Sequence, residues 1–138
     1  MHVSYVTDPA CPWSWGAEPA LRRLQCEFGD EVQITYVMGG LWREIARPLD
    51  ALRQWLDAAD RTGMPIDPRG WLDAPPRSSY PACLAVKAAA EQKLDGPYLR
   101  RVREAIACER SRADSTEVLV ALAREVGTMN VDRFAVDL

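Results

Sequence analysis

Apolar and polar residues alternate in two short stretches near the start of the chain, and everywhere else the apolar positions recur at the helical period. From His2 to Thr7, Val3 and Tyr5 alternate with Ser4, which predicts a strand. From Val32 to Met38, Val32, Ile34, Tyr36 and Met38 face one way and Gln33, Thr35 and Val37 the other, which predicts a second. Between them Ala17, Ala20, Leu21, Leu24 and Phe28 mark one face of a helix predicted over Trp13 to Phe28, with Gly29-Asp30 as its stop. Pro19 is expected to bend its first turns, because it has no N–H to give to the carbonyl four residues back. Strand, helix and strand in so short a span predict a right-handed βαβ unit with parallel strands over residues 1–40, closed by Gly39-Gly40.

Beyond Leu41 the periodicity is helical throughout. One helix is predicted from Pro48 to Arg61 on Leu49, Leu52, Trp55 and Leu56, with Gly63 as its stop. Residues 64–77 hold four prolines and Trp71 and read as a loop. Further helices are predicted from Pro81 to Leu94 on Cys83, Val86 and Ala90, and from Tyr98 to Glu109 on Leu99, Val102 and Ile106, with Asp95-Gly96-Pro97 as the break between them. Ser115 opens another through Val126, on Val118, Leu119, Leu122, Ala123 and Val126. Val131, Phe134, Ala135 and Leu138 start a last stripe, on which the chain stops. Two strands make a marginal sheet, so the expectation is an α/β fold whose C-terminal strands lie outside this chain.

Composition narrows the picture. The 138 residues are 48% hydrophobic and 27% charged, enough for one core, and the net charge of −3 argues against a nucleic-acid surface. No apolar run approaches the ~20 residues of a membrane helix, and the N-terminus lacks the basic start and apolar stretch of a secretory signal. The expected location is therefore the cytoplasm. Four cysteines, at 11, 26, 83 and 108, have neither the density of a disulfide framework nor the spacing of a metal site, and free thiols are expected. The single histidine, His2, has no orienting partner nearby and reads as exposed and without function.

The chemistry points to Asp8-Pro9-Ala10-Cys11-Pro12-Trp13-Ser14-Trp15-Gly16. Cys11 falls at the C-terminal end of the first strand, where α/β sheets place their sites. It precedes Pro12 as an N-cap precedes a proline at the first helical position. The free N–H groups and partial positive charge of a helix start favour a thiolate, the nucleophilic form of cysteine. Ser14 occupies the place where a C-x-x-C redox motif has its second cysteine. Its O–H or N–H is a candidate donor to the Cys11 sulfur.

These residues resemble the cytoplasmic branch of the DsbA-type thioredoxin-fold proteins. The resemblance is carried by Asp8 to Gly16, by Gly39-Gly40-Leu41, by Ser79-Tyr80-Pro81-Ala82 with Ala85-Val86, and by the helix holding Leu119, Leu122 and Ala123. It spans nearly the whole chain. It implies a thioredoxin-like fold with an all-helical insertion: residues 1–40 as the N-terminal βαβ half, 41–127 as the insertion, and 128–138 as the start of the return to the sheet. It also implies redox chemistry at Cys11, with Ser14 as second catalytic position and Pro12, Trp13 and Trp15 as substrate-binding neighbours. The family pattern has a cysteine in place of Ser14, and it completes the sheet after the insertion with two strands, a helix and a cis-proline loop, which this chain does not reach. Branches with serine in the motif include glutathione-dependent isomerases and kappa-class glutathione transferases.

Three functions follow as expectations. The first is a monothiol thiol–disulfide oxidoreductase, with no bound cofactor or metal and with glutathione as a candidate co-substrate. The second is a glutathione-dependent transferase or isomerase in which Ser14 or Cys11 activates the glutathione sulfur. The third is a catalytically degenerate domain that binds a partner chain in the old active-site groove. The partners expected are protein or small-molecule thiols and disulfides, with no nucleic acid and no membrane, and a second copy of the chain is a candidate to cover the open sheet edges. Cys83 reads as an inert core thiol and Cys26 and Cys108 as half-exposed. Arg100, Arg101, Arg103, Arg110 and Arg112, interleaved with Glu104, Glu109 and Asp114, read as a solvated helix face.

Overall fold

A computed structural model describes residues 1–138. Strands β1 (His2–Thr7) and β2 (Gln33–Met38) pair in parallel, with His2 opposite Gln33 and Thr7 opposite Met38. The connection between them is two helices where the apolar spacing predicts one. Helix α1 runs from Pro12 to Gly16 and α2 from Glu18 to Phe28, joined at Ala17. The break has the cause expected of a bend: Pro19 gives no N–H to the preceding turn.

Five elements predicted after Leu41 form close to the expected bounds. Helix α3 spans Pro48–Thr62 and ends at Gly63, whose φ of 72° is the left-handed conformation that favours glycine there. Helix α5 spans Tyr80–Ala90, α6 Asp95–Cys108, α7 Thr116–Glu125 after Ser115, and α8 Val131–Asp137. Two details differ. The proline-rich segment contains a short helix, α4 (Arg69–Asp73), and Asp95-Gly96-Pro97 forms the first turn of α6, where the missing proline N–H costs no intrahelical bond.

The apolar core lies in the helical part. Trp55, Tyr98, Leu99, Val102, Leu119 and Phe134 are completely enclosed, and Trp55 packs on Trp71 and Tyr98 on Phe134 with ring centroids 5.8 and 5.0 Å apart. The stripe predicted for the first long helix is not a buried one: Ala17, Ala20 and Phe28 are exposed and Leu21 and Leu24 half-buried. The side chain that α2 buries is Glu18. It turns inward to pair with Arg103 of α6, and that pairing sets the rotation of the helix.

Candidate functional site

Cys11 caps α1 at the end of β1. Its backbone is extended, with φ −79° and ψ 115°, and its carbonyl accepts the first helical bond from the Trp15 N–H at 3.1 Å. The Trp13 and Ser14 N–H groups fall in the first turn, where no intrahelical acceptor exists. Helix α1 has five residues, so what it offers at the Cys11 end is one turn of free N–H groups with no long helix behind them. The Cys11 thiol is half-buried and opens onto a cleft of about 220 Å³ lined by Val6, Thr7, Asp8, Cys11, Ser14, Gly39 and Leu41.

Of the residues singled out in sequence, the cleft brings together Cys11 and Ser14, which lie three apart on one face of α1. Pro12 and Trp15 are buried on the other side and do not line it. Trp15 is held there by a hydrogen bond from its Nε1 to the Pro65 carbonyl at 3.0 Å, with Arg100 over its ring, so it anchors α1 instead of contacting a ligand. Trp13 is 44% exposed beside the guanidinium of Arg61 and also lies outside the cleft lining. Ser14 does not meet the Cys11 sulfur directly: its Oγ accepts a hydrogen bond from the Thr7 hydroxyl at 2.8 Å.

Two buried polar groups at the cleft make contacts that the sequence reading does not give them. The Asp8 carboxyl accepts from the Ala10 N–H at 2.8 Å, the Leu41 N–H at 2.7 Å, the Ser79 hydroxyl at 2.8 Å and the Cys83 thiol at 3.4 Å. One side chain thus ties the Cys11 loop to Gly39-Gly40-Leu41 and to the start of α5, three of the four segments that carry the family resemblance. Burial above all, and then the negative charge of Asp8, push the Cys83 thiol up to about 12. The second group is Arg103. It was expected on a solvated face and is instead 0% exposed, donating to Glu18 Oε1 and to Thr7 Oγ1. The signal for it was spacing: Leu99, Val102, Arg103 and Ile106 follow i, i+3, i+4, i+7, which places the arginine on the buried stripe.

All four cysteines are free, and no three His, Cys, Asp or Glu side chains converge as a metal ion would need. No helix is long and apolar enough to cross a membrane.

The thioredoxin family model matches residues 5–138, which include the end of β1, the Cys11 junction, β2 and every helix. The chain belongs to the thioredoxin family. Among solved structures it is similar to the cytosolic disulfide reductase DsbM from Pseudomonas aeruginosa, at a TM-score of 0.83 and 26% identity over 99% of this chain and 70% of that one. A second structure of DsbM, with GSH, matches at a TM-score of 0.82 and 26% identity, over 99% of this chain and 71% of that one. The fold is therefore thioredoxin-like and of the DsbA type, with helices α3 to α8 following the βαβ unit. Among curated proteins, the chain is 31% identical to the ClpXP adapter protein SpxH of Halalkalibacterium halodurans and 30% to that of Shouchella clausii, over 95% of its own length in each case. It spans 46% and 45% of those relatives, about half their length.

Proposed function

We propose that this chain performs thiol–disulfide exchange of the monothiol type, with Cys11 as the nucleophile and a small thiol of the glutathione class as co-substrate. The observation that supports this most is the cleft itself, where Cys11 is the one thiol in the walls and Ser14 stands where a resolving cysteine would be. The Cys11 thiolate attacks a disulfide, its sulfur forms a bond to one half, and the electron pair of the broken S–S bond leaves with the other half as a thiolate. With no neighbouring thiol to resolve the adduct, a second small-molecule thiolate attacks the mixed disulfide. It takes the bound half away as a new disulfide and returns Cys11 as a thiolate. The DsbM structure with GSH supports glutathione as that thiol.

Incubation with glutathione disulfide followed by intact-mass measurement tests the reading. The expected result is one glutathionyl group on Cys11, released on adding reduced glutathione, and no such cycle in Cys11→Ser. Disulfide reduction that proceeds at full rate without any added thiol overturns the monothiol route. A glutathione transferase or isomerase would instead turn over an electrophile or isomerisable substrate with glutathione and leave no adduct on Cys11.

One observation favours a second reading, a domain that binds a protein partner: the 31% identical relative is named a ClpXP adapter protein. Exposed Val6 and Leu41 in the cleft walls, and exposed Tyr80 and Leu84 in the groove that adjoins them at Gly39, suit such a role. The same experiment separates the two, since a docking surface does not need a Cys11 adduct that turns over.

A further inference from the structure

The helical segment reaches the candidate site through one buried chain of hydrogen bonds. Arg103 of α6 is enclosed on all sides, with the Tyr5 ring 6.0 Å from its guanidinium carbon. One of its terminal nitrogens donates to Glu18 and the other to Thr7 Oγ1. Arg100, one turn earlier, donates to the second Glu18 oxygen at 3.4 Å, so the carboxylate is held from two sides. Thr7, itself buried at the end of β1, passes the contact on to Ser14 Oγ.

Donor chemistry gives this chain a single direction. A guanidinium has five N–H donors and no acceptor. Thr7 Oγ1 therefore accepts from Arg103 and must spend its only hydrogen on Ser14 Oγ. Ser14 Oγ accepts that bond, and its own hydrogen is left to point elsewhere. The remaining direction is the cleft that Ser14 shares with Cys11. Replacing Arg103 by a group that accepts lets Thr7 turn its hydrogen away and accept from Ser14, and removing the Thr7 hydroxyl takes away the one donor that fixes the orientation of Ser14 Oγ.

We propose that Arg103 is a positioning residue that, through Thr7, keeps the Ser14 hydroxyl hydrogen available as a donor to a substrate sulfur that enters the cleft beside Cys11. This rests on the exchange reaction proposed above and specifies which sulfur charge the protein supports. When the Cys11 thiolate attacks glutathione disulfide, the Cys11–sulfur bond forms, the glutathione S–S bond breaks, and the electron pair leaves with the departing glutathione sulfur. The Ser14 O–H donates to the sulfur carrying that charge, and no proton is transferred. The reverse attack by glutathione thiolate passes through the same arrangement and has the same support.

The test measures the rate of glutathionyl adduct formation at Cys11 from glutathione disulfide in single and double variants. Ser14→Ala is expected to slow the reaction about tenfold, the scale of one hydrogen bond to a charged group. Thr7→Val keeps the Arg103–Glu18 pair and the side-chain volume, and is expected to slow it nearly as much. Thr7→Ser is expected to restore it. Thr7→Val combined with Ser14→Ala is expected to be no slower than Ser14→Ala alone, because the relay has one endpoint. Multiplying effects in the double variant, or a Thr7→Ser variant as slow as Thr7→Val, overturn the proposal, and so does a Thr7→Val variant that reacts at the normal rate. Should Thr7→Val not fold, the Thr7→Ser and Ser14→Ala pair carries the test: a normal rate in Ser14→Ala overturns the role of the hydroxyl. Cys11→Ser runs in parallel, and adduct formation in that variant overturns the underlying exchange reading instead.

Discussion

The βαβ unit and the helices that follow it are held in opposite ways. Helices α3 to α8 enclose a continuous apolar core around Trp55, Leu99, Leu119 and Phe134. The βαβ unit leaves Val6 66%, Val37 41% and Phe28 47% exposed, and much of what it buries is polar: Thr7, Asp8 and Glu18. Trp15 and Ala10 are its two contributions to the main core. The helical part is stabilised by removing carbon from water, and the Cys11 loop is fixed onto it by directional hydrogen bonds and one ion pair. Apolar packing tolerates small slips, whereas a buried carboxyl with four donors holds one geometry. That distinction suits a region that must keep a thiol, a hydroxyl and a cleft in register.

The largest expected effect breaks the helical side. Phe134 is fully buried on α8 against Tyr98, so Phe134→Ala leaves a cavity the neighbouring helices cannot fill. A loss of about 4 kcal/mol in urea unfolding is expected. A loss under about 1 kcal/mol would mean that α8 does not belong to the core.

A smaller effect is expected at the joint. Asp8→Ala removes the acceptor shared by Ala10, Leu41, Ser79 and Cys83 and leaves their donors in a dry place. The expected cost is about 3 kcal/mol. Faster hydrogen exchange is expected at the Leu41 and Ala10 amides while the α6 and α7 amides keep their protection. Uniform loss of protection through the helices would show that the two regions do not differ in the way described.

These two regions also differ in how far the sequence announces them. Strand and helix periods are local properties, and both strands and the five main later helices were legible within a few residues. That Cys11 and Ser14 share one cleft was legible because a strand end, a proline and a helix start fix their surroundings within six residues. The polar joint was not, because its partners are remote in the chain: Asp8 meets Cys83, and Thr7 meets Arg103. A run of arginines and glutamates reads as solvated until something shows which one faces inward. The α2 stripe failed for a related reason. Periodicity shows that Ala17, Ala20 and Phe28 share a face, but a face is buried only if something covers it.

The smallest effect tests the joint through pH. Cys83 extends from α5 to Asp8, so it belongs to both regions, and its thiol is held up to about 12 by burial and then by the charge of Asp8. In the unfolded chain a cysteine loses its proton near 8.5. Above that pH the unfolded state binds fewer protons than the folded one, so unfolding becomes easier as pH rises. This contribution to stability is therefore intact below about pH 8.5 and declines from there toward 12, by at most about 1.4 kcal/mol per pH unit. Tyrosines add their own alkaline slope, so the measurement is the difference between the protein and Cys83→Ala in urea unfolding at pH 8 and pH 10. The variant is expected to be less stable at pH 8, for its lost packing, and to lose less on going to pH 10. Parallel slopes would place Cys83 in surroundings open enough to ionise normally, and the joint would then be wetter than the enclosed Asp8 cluster requires.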